Sequence, residues 1–327
     1  MSRRRLVSAA VRGGGAVGLL AAAGYALLYS EAKLARRWVG EPKEQPPVGD
    51  GLWGTGGGEP IRLAVLGDSS AAGLGVAGPI ETPAVLVASG LSEVAGRPVA
   101  LTNVAVVGAR SVDLGRQVST VLETRPEVVV IMIGANDVTG RVRPEESVAH
   151  LGDAVRRLRR LGCEVVVGTC PDLGTVEPIQ QPLRMLARLW SRQLAAAQTV
   201  AVVEAGGRTV SLGDVLGPEF EARRAEMFGS DRFHPSAAGY AAAAAVMLPS
   251  VCAALGLWPE EDEDLPALPG PHEGVTRVSK AAARAAVAPG TEVTPAGPDG
   301  GPRGRWAFLR RRRPRPVDLP HPADAGP

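Results

Sequence analysis

Short apolar runs alternate with longer stretches of helical periodicity between residues 61 and 255 of this 327-residue chain. Short runs rich in Val, Ile and Leu are typical of strands buried on both faces of a parallel sheet. The predicted strands cover residues 61–66, 99–107, 127–133, 163–169 and 200–203. Apolar positions at helical spacing predict helices over residues 82–95, 111–123, 144–161, 178–197 and 236–255.

Strands that alternate with helices along a chain build βαβ units, in which helices cover both faces of a parallel sheet. Right-handed crossovers leave few topologies for five such strands. The sequence therefore predicts an α/β fold, a three-layer α/β/α sandwich with a flavodoxin-like five-stranded parallel sheet. Changes in composition divide the chain into an N-terminal segment (1–40), a linker rich in Pro and Gly (41–60), the α/β domain (61–258) and a tail (259–327).

Residues 1–40 have the composition of a targeting or membrane segment. Arg3, Arg4 and Arg5 precede an uncharged run over residues 13–29, and Lys33 and further arginines follow it. The run is slightly shorter than the roughly 20 residues that cross a bilayer, so an uncleaved anchor, a cleaved signal peptide and an amphipathic helix packed on the domain are all compatible with it. An anchor or a signal would place the domain outside the cytoplasm, membrane-anchored or secreted.

The tail begins with an acidic run over residues 260–264, continues with Pro, Gly and Ala, and ends in an arginine cluster over residues 310–315. It lacks apolar periodicity, and the sequence predicts that it is disordered.

Charge and cysteine content exclude several classes of function. The net charge is +2, and residues 60–258 hold 18 Arg and 19 acidic residues, so no basic stripe for nucleic acid is expected. Cys163, Cys170 and Cys252 include no C-x-x-C pair, which argues against a zinc site. Cys163 and Cys252 either form a bridge or remain buried thiols. No metal or cofactor is predicted, and the oligomeric state is left open.

Polar residues follow three of the predicted strands. Gly67-Asp68-Ser69 follows the first strand, Gly108 the second, and Gly134-Ala-Asn136-Asp137 the third. Each of these is by itself a common turn sequence. Parallel strands, however, end at the same edge of the sheet, where doubly wound folds bind ligands. The loop Asp231-Arg-Phe-His234 precedes the last helix and is predicted to join them there.

These residue types match the needs of serine nucleophilic catalysis. A serine hydroxyl such as that of Ser69 becomes nucleophilic when a base accepts its proton, and histidine, here His234, is the usual base. A carboxylate, here Asp231, fixes the tautomer of the imidazole. The N–H groups of Ser69 and Gly108 and the side-chain N–H of Asn136 are predicted to form the oxyanion hole.

The four segments resemble the SGNH (GDSL) hydrolase superfamily. Its first block matches Gly67-Asp68-Ser69, its second contains Asn103 and ends at Gly108, its third matches Gly134 to Asp137, and its last matches Asp231 to His234. The resemblance covers residues 61–255 and implies an α/β/α fold and ester hydrolysis without metal. Many relatives carry Ser or Thr two residues after the nucleophile, where this chain has Ala71 and a second serine, Ser70, stands in between.

The predicted function is hydrolysis of carboxylic esters through an acyl-enzyme, as in esterases, lipases and lysophospholipases. Lipid-like esters, short-chain esters and O-acetylated cell-surface glycans are all compatible substrates. Apolar positions Leu183, Leu186, Leu189 and Trp190 either cover the sheet or line an acyl-binding wall. The alternative functions are a non-catalytic flavodoxin-like module and a membrane-anchored interaction protein with an inactive hydrolase domain. A non-catalytic flavodoxin-like module would not require Asp231 and His234.

Overall fold

The computed structural model describes residues 45–213, 220, 222–257, 273–288, 290–296 and 306–311, with helical positions 22, 24, 26, 27, 29–31, 33 and 34. Most of the predicted targeting segment, residues 1–40, therefore lies outside the described residues.

One nine-stranded sheet organises the described part of the chain. Its strands are β1 (Gly51–Trp53), β2 (Ile61–Gly67), β3 (Val99–Asn103), β4 (Val128–Met132), β5 (Glu164–Gly168), β6 (Arg208–Val210), β7 (Glu273–Arg277), β8 (Thr291–Pro295) and β9 (Trp306–Arg311). Their order is β1-β3-β2-β4-β5-β6-β8-β9-β7. The five central strands, β3-β2-β4-β5-β6, are parallel to one another. The strands outside them pair in antiparallel fashion, β1 with β3 at one edge and β8, β9 and β7 beyond β6 at the other. The predicted three-layer α/β fold with a flavodoxin-like parallel sheet is confirmed.

Helices cover both faces of this sheet. They are α1 (Ser69–Ala72), α2 (Pro83–Ala95), α3 (Leu114–Val121), α4 (Ala135–Thr139), α5 (Pro144–Arg160), α6 (Leu183–Glu204), α7 (Arg224–Met227), α8 (Ala237–Ala254) and α9 (Val278–Ala285). Capping residues set where two of them begin. Thr82 accepts a hydrogen bond from Val85 N ahead of α2, and Ser236 accepts one from Gly239 N ahead of α8.

Two apolar cores lie on opposite sides of the sheet. Leu63 and Val65 of β2 pack with residues of α2 and α8. Ala64 and Leu66, which point the other way, pack with residues of α3 and α5. From Leu63 to Leu66 both faces of the strand are buried, so polar residues do not alternate with apolar ones and this stretch is continuously apolar; Arg62, at the start of the strand, is exposed.

The fifth parallel strand is β6, and its prediction at residues 200–203 is wrong. Those residues belong to α6, which continues to Glu204. Val202 and Val203 are buried in two different apolar clusters, one under the parallel sheet and one under its antiparallel extension. A short apolar run does not by itself distinguish a strand from the buried face of a helix.

The predicted disorder of residues 259–327 is wrong for the described segments of that tail. Strands β8, β9 and β7 extend the sheet beyond β6, and α9 packs on them. Val278 and Ala281 of α9 and Val293 and Leu309 of the strands form one buried cluster with Val203. The elements are short, and their buried positions are filled largely by Ala, Thr and Val, so the apolar pattern of each is brief.

Residues 51–53, assigned to a linker, form the edge strand β1 and pair with β3.

Cys163, Cys170 and Cys252 are buried free thiols, so the bridge between Cys163 and Cys252 is absent.

Among the described helices, α8 is long and apolar enough to cross a membrane, but 56% of it is buried inside the fold. It therefore has the environment of a core helix.

A buried ion pair at the junction between β6 and β8 allows a test of the ordered C-terminal extension. Arg208 Nη1 lies 3.0 Å from Glu292 Oε1, and the Glu292 side chain is 1% exposed. Removing one partner of a largely buried ion pair is costly, so Glu292→Ala is expected to lower the free energy of unfolding by about 3–5 kcal/mol in urea denaturation.

Asp153→Ala is the matched control, because Asp153 pairs with Arg156 at an exposed site. It is expected to change the free energy of unfolding by less than about 1 kcal/mol. Equal, near-zero effects of the two substitutions would contradict an ordered extension.

Candidate active site

Three strand ends meet at one edge of the sheet and bring the predicted site residues together. Gly67 at the end of β2 is paired with Met132 at the end of β4, and Val65 with Asn103 of β3. The segments that follow these strands hold Ser69, Asn136 and Gly108, in that order. The edge is the carboxyl edge of the parallel sheet, as expected for a ligand site in this class of fold.

Ser69, His234 and Asp231 form a continuous hydrogen-bonded chain. The Nε2 atom of His234 lies 3.0 Å from Ser69 Oγ, and its Nδ1 atom lies 2.6 Å from Asp231 Oδ2. Ser69 and His234 are 8% and 7% exposed, so the contact is largely shielded from water but reachable from one side. Ser69 and His234 are separated by 165 residues in the chain.

The loop that carries His234 is organised around the Asp231 carboxylate. Asp231 Oδ1 accepts the backbone N–H groups of Phe233 and His234, both at 2.9 Å, while Oδ2 faces the imidazole. Burial opposes the charge on this carboxylate, but the hydrogen bonds from the His234 ring and from these backbone groups outweigh it. The pKa of Asp231 is therefore below its ordinary value, and the carboxylate is ionised where a histidine base operates.

The turn before Ser69 depends on Gly67 and Asp68. Gly67 has φ of 140°, and a Cβ at this position would lie 1.9 Å from the Met132 carbonyl oxygen. Asp68 caps α1, because its Oδ1 atom accepts both the backbone N–H of Ser70 at 2.9 Å and the Ser70 hydroxyl at 2.6 Å. Burial raises the pKa of Asp68, whereas the bonds from Ser70 oppose that rise.

The two neighbouring serines thus have different environments. The Ser70 hydroxyl donates to Asp68, whereas the Ser69 hydroxyl faces His234. The hydrogen bonds from Ser70 to Asp68 also support the turn. The turn is therefore held by a side-chain hydroxyl although Ala71, the next residue, has none.

The three predicted oxyanion donors lie on separate elements, in the segments that follow β2, β3 and β4. Ser69 is the first residue of α1, where a backbone N–H has no acceptor within its own helix. Gly108 has φ of 81°, and a Cβ built there meets no atom within 4 Å, so its surroundings are open. Asn136 Nδ2 donates one hydrogen to the Ala109 carbonyl at 3.1 Å, and a carboxamide nitrogen carries a second hydrogen.

Asn103 has a supporting position in the structure. Its Nδ2 atom donates to the Ala71 carbonyl at 3.0 Å, and its Oδ1 atom accepts the Ala105 N–H at 3.0 Å. The side chain thereby ties the end of β3 to the end of α1.

Two buried glutamines near the site were not predicted from the sequence. Gln117 of α3 accepts Gly67 N–H at 2.8 Å and donates to the Gly67 carbonyl at 2.9 Å. Gln198 of α6 accepts Cys170 N–H at 2.7 Å and donates to the Ile133 carbonyl at 2.9 Å. Their signal in the sequence is weak, since each is a single amide among the buried residues of its helix and belongs to no motif.

Tyr240 of α8 connects the helix that follows the His234 loop to the segment that follows Ser69. Its hydroxyl donates to the Leu74 carbonyl at 2.6 Å, just after α1, and its side chain is buried. Burial raises the Tyr240 pKa well above its ordinary value, and the nearby charges of Asp68 and Asp231 add to the rise. The phenol therefore keeps its proton and remains a donor.

Within the described residues, no group of three or more His, Cys, Asp or Glu side chains is arranged to hold a metal ion.

The lowered pKa of Asp231 predicts how this residue affects stability with pH. Since the folded-state pKa lies below the ordinary value of 3.8, the ionised carboxylate contributes stability above that value, and the contribution is lost as the pH falls through the folded-state pKa. The difference in unfolding free energy between wild type and Asp231→Asn is expected to be largest near neutral pH and to shrink below about pH 4. Urea denaturation across the pH range measures this difference, and a constant difference would contradict the lowered pKa.

Comparison with known proteins identifies the family. Residues 65–242 match the model of the GDSL-like lipase/acylhydrolase family. The chain is also 45% identical over 230 residues to the GDSL-like esterase Rv1075c of Mycobacterium tuberculosis (strain ATCC 25618 / H37Rv), covering 67% of this chain and 73% of that protein.

Solved structures include similar chains at lower identity. An acetylxylan esterase, Axe2 of Geobacillus stearothermophilus, is 21% identical with a TM-score of 0.45 and covers 67% of this chain and 100% of its own. LAE5, described as an alpha/beta hydrolase enzyme from the metagenome of Lake Arreo, Spain, is 21% identical with a TM-score of 0.48, over 62% and 97% of the two chains. The family model and the Rv1075c match carry the assignment: this chain belongs to the GDSL-like lipase/acylhydrolase family and is an ester hydrolase.

Proposed function

We propose that the protein cleaves carboxylic esters by a serine mechanism with a covalent acyl-enzyme, in which Ser69 is the nucleophile. The observation that carries the proposal is the hydrogen-bonded chain from Ser69 through His234 to Asp231, at 3.0 and 2.6 Å. Unrelated turns are not expected to align a hydroxyl, an imidazole and a carboxylate in this order. The arrangement fits the roles of nucleophile, general base and orienting carboxylate.

The first half of the reaction forms the acyl-enzyme. His234 Nε2 accepts the Ser69 proton as Oγ attacks the ester carbonyl carbon, and the carbonyl oxygen becomes an oxyanion. Asp231 keeps the proton of the imidazole on Nδ1, so that Nε2 is free to accept. The tetrahedral intermediate collapses when His234 returns its proton to the leaving alkoxide, and the alcohol departs.

The second half repeats these steps with water. His234 takes a proton from a water molecule as its oxygen attacks the acyl carbon, and returns that proton to Ser69 Oγ when the tetrahedral intermediate collapses and the carboxylic acid leaves. In both halves the oxyanion is stabilised by the N–H groups of Ser69 and Gly108 and by Asn136 Nδ2. Each such donor is typically worth about 10²- to 10³-fold in kcat.

Apolar residues beside the site favour substrates with an apolar acyl or alcohol group. Phe233, which precedes His234, and Ala135, which precedes Asn136, pack in one apolar cluster with Leu183 and Trp190 of α6. This cluster joins the histidine loop to α4, and these four residues are only partly buried. Lipid-like and short-chain esters are compatible with such a wall, and O-acetylated glycans remain the alternative substrate class.

The N-terminal segment is proposed to anchor the enzyme at a membrane, with the catalytic domain outside the cytoplasm. The proposal rests on the uncharged run over residues 13–29 with basic residues on both sides. At its C-terminal side, Glu31 accepts a hydrogen bond from Leu183 N at 3.1 Å, so this part of the segment lies at the start of α6.

The serine mechanism predicts that one hydroxyl accounts for nearly all turnover. Ser69→Ala is expected to lower kcat on p-nitrophenyl acetate and longer p-nitrophenyl esters by about 10⁴-fold or more, because triad residues act as a unit. Ser119→Ala, an exposed serine on α3, is the matched control and is expected to leave kcat unchanged. Wild-type turnover in Ser69→Ala would rule out Ser69 as the nucleophile, and the same loss in Ser119→Ala would assign the effect to something other than the triad.

A further inference from the structure

A buried carboxylate directly follows Asn136 and contacts none of the three triad residues. Asp137 is 1% exposed and lies in α4. Its Oδ2 atom accepts the Ser111 N–H and the Ser111 hydroxyl, both at 3.1 Å, and its Oδ1 atom accepts the Ser147 hydroxyl at 2.9 Å. Ser111 and Ser147 are themselves 0% and 1% exposed. The cluster is therefore fully enclosed by the protein and out of reach of substrate.

These hydrogen bonds join three elements that surround the proposed oxyanion hole. Ser111 lies three residues after Gly108, on the loop that leaves β3, and Ser147 lies in the first turn of α5. A further bond runs from Asn136 Nδ2 to the Ala109 carbonyl. The loop that holds Gly108 is thus attached to α4 at two neighbouring points, through the side chains of Asn136 and Asp137.

On the outer side of this loop the side chains add little packing, although the Val106 N–H donates to the Gly67 carbonyl at 3.1 Å. Val106 and Val107, which precede Gly108, are 55% and 37% exposed. The Gly108 N–H and Asn136 Nδ2 must nevertheless both lie about 2.7–3.1 Å from the same oxyanion position. A misplacement of about 1 Å in such a site costs about 100-fold in rate.

We propose that Asp137 is a positioning residue, which holds the Gly108 N–H and the Asn136 carboxamide at the spacing that a tetrahedral oxyanion requires. The inference rests on the proposed serine mechanism. A carboxylate suits the role because every partner donates, and an ionised carboxylate only accepts hydrogen bonds. An asparagine has the same shape but turns one acceptor into a donor. Facing Ser111, that donor meets the backbone N–H, and facing Ser147 it is tolerated only if the hydroxyl gives up its own donation, so the attachment of the loop to α4 is weakened.

The test compares Asp137→Asn with wild type in ester turnover and in binding of phenylboronic acid, whose tetrahedral adduct with a serine places an anionic oxygen in an oxyanion hole. The expected result is a decrease in kcat of about 10- to 100-fold with KM changed by less than about two-fold. The affinity for phenylboronic acid is expected to fall by a similar factor. Ser147→Ala, which removes one bond to Oδ1, is expected to show a smaller loss in the same direction.

Leu158→Ala is the matched control for a loss of stability alone. Leu158 lies on α5, the helix of Ser147, and is 0% exposed in the core. It is expected to lower the unfolding temperature and to leave kcat and phenylboronic acid affinity unchanged at temperatures where the protein is folded.

Wild-type kcat in Asp137→Asn, or a lower kcat with unchanged phenylboronic acid affinity, would overturn the inference. If Asp137→Asn does not fold, Ser147→Ala decides in the same way. Ser69→Ala is measured alongside, so that turnover independent of Ser69 identifies a failure of the proposed mechanism and overturns this inference with it. Turnover that depends on Ser69 but not on Asp137 or Ser147 overturns the positioning role alone.

Discussion

The backbone groups that parallel strands leave unpaired at their carboxyl ends are the constraint on which this site depends. Beyond the last residues of these strands the backbone N–H and C=O groups no longer have a full set of neighbouring strands as partners, and buried groups of this kind require others. Gln117 accepts the Gly67 N–H and donates to the Gly67 carbonyl, and Gln198 bridges Ile133 and Cys170. The backbone groups of Gly67, Ile133 and Cys170 at this edge thus have hydrogen-bond partners, which fix the conformation of the turn before Ser69.

The parallel sheet could be predicted from the sequence because its cause is local. A strand buried on both faces has to be apolar throughout, so β2 and β4 are visible as runs of Val, Ile and Leu. The site residues could be predicted for a related reason, since Ser69 and Asn136 each follow such a run. The contact between Ser69 and His234 needs more than the parallel order: the loop before α8 must lie at the same edge, and the hydrogen bonds of Asp231 hold that loop.

What could not be predicted depends on contacts between distant segments. The run over residues 200–203 is apolar because α6 is covered on two sides, and only the packing of α9 on α6 makes this evident. Strands β7 to β9 are stabilised by pairing with one another and with β6 rather than by an apolar pattern of their own. Likewise, nothing in the spacing of Ser111, Asp137 and Ser147 indicates that they meet.

The bond from Tyr240 to the Leu74 carbonyl couples the histidine side of the site to the serine side. Tyr240 lies one turn into the helix that begins just after His234, and Leu74 lies just beyond the short helix that begins with Ser69. Thermal fluctuation that pulled the imidazole away from the hydroxyl would have to stretch this second, dry link as well. The segments that carry Ser69 and His234 are therefore joined at two points, one at the pair itself and one behind it.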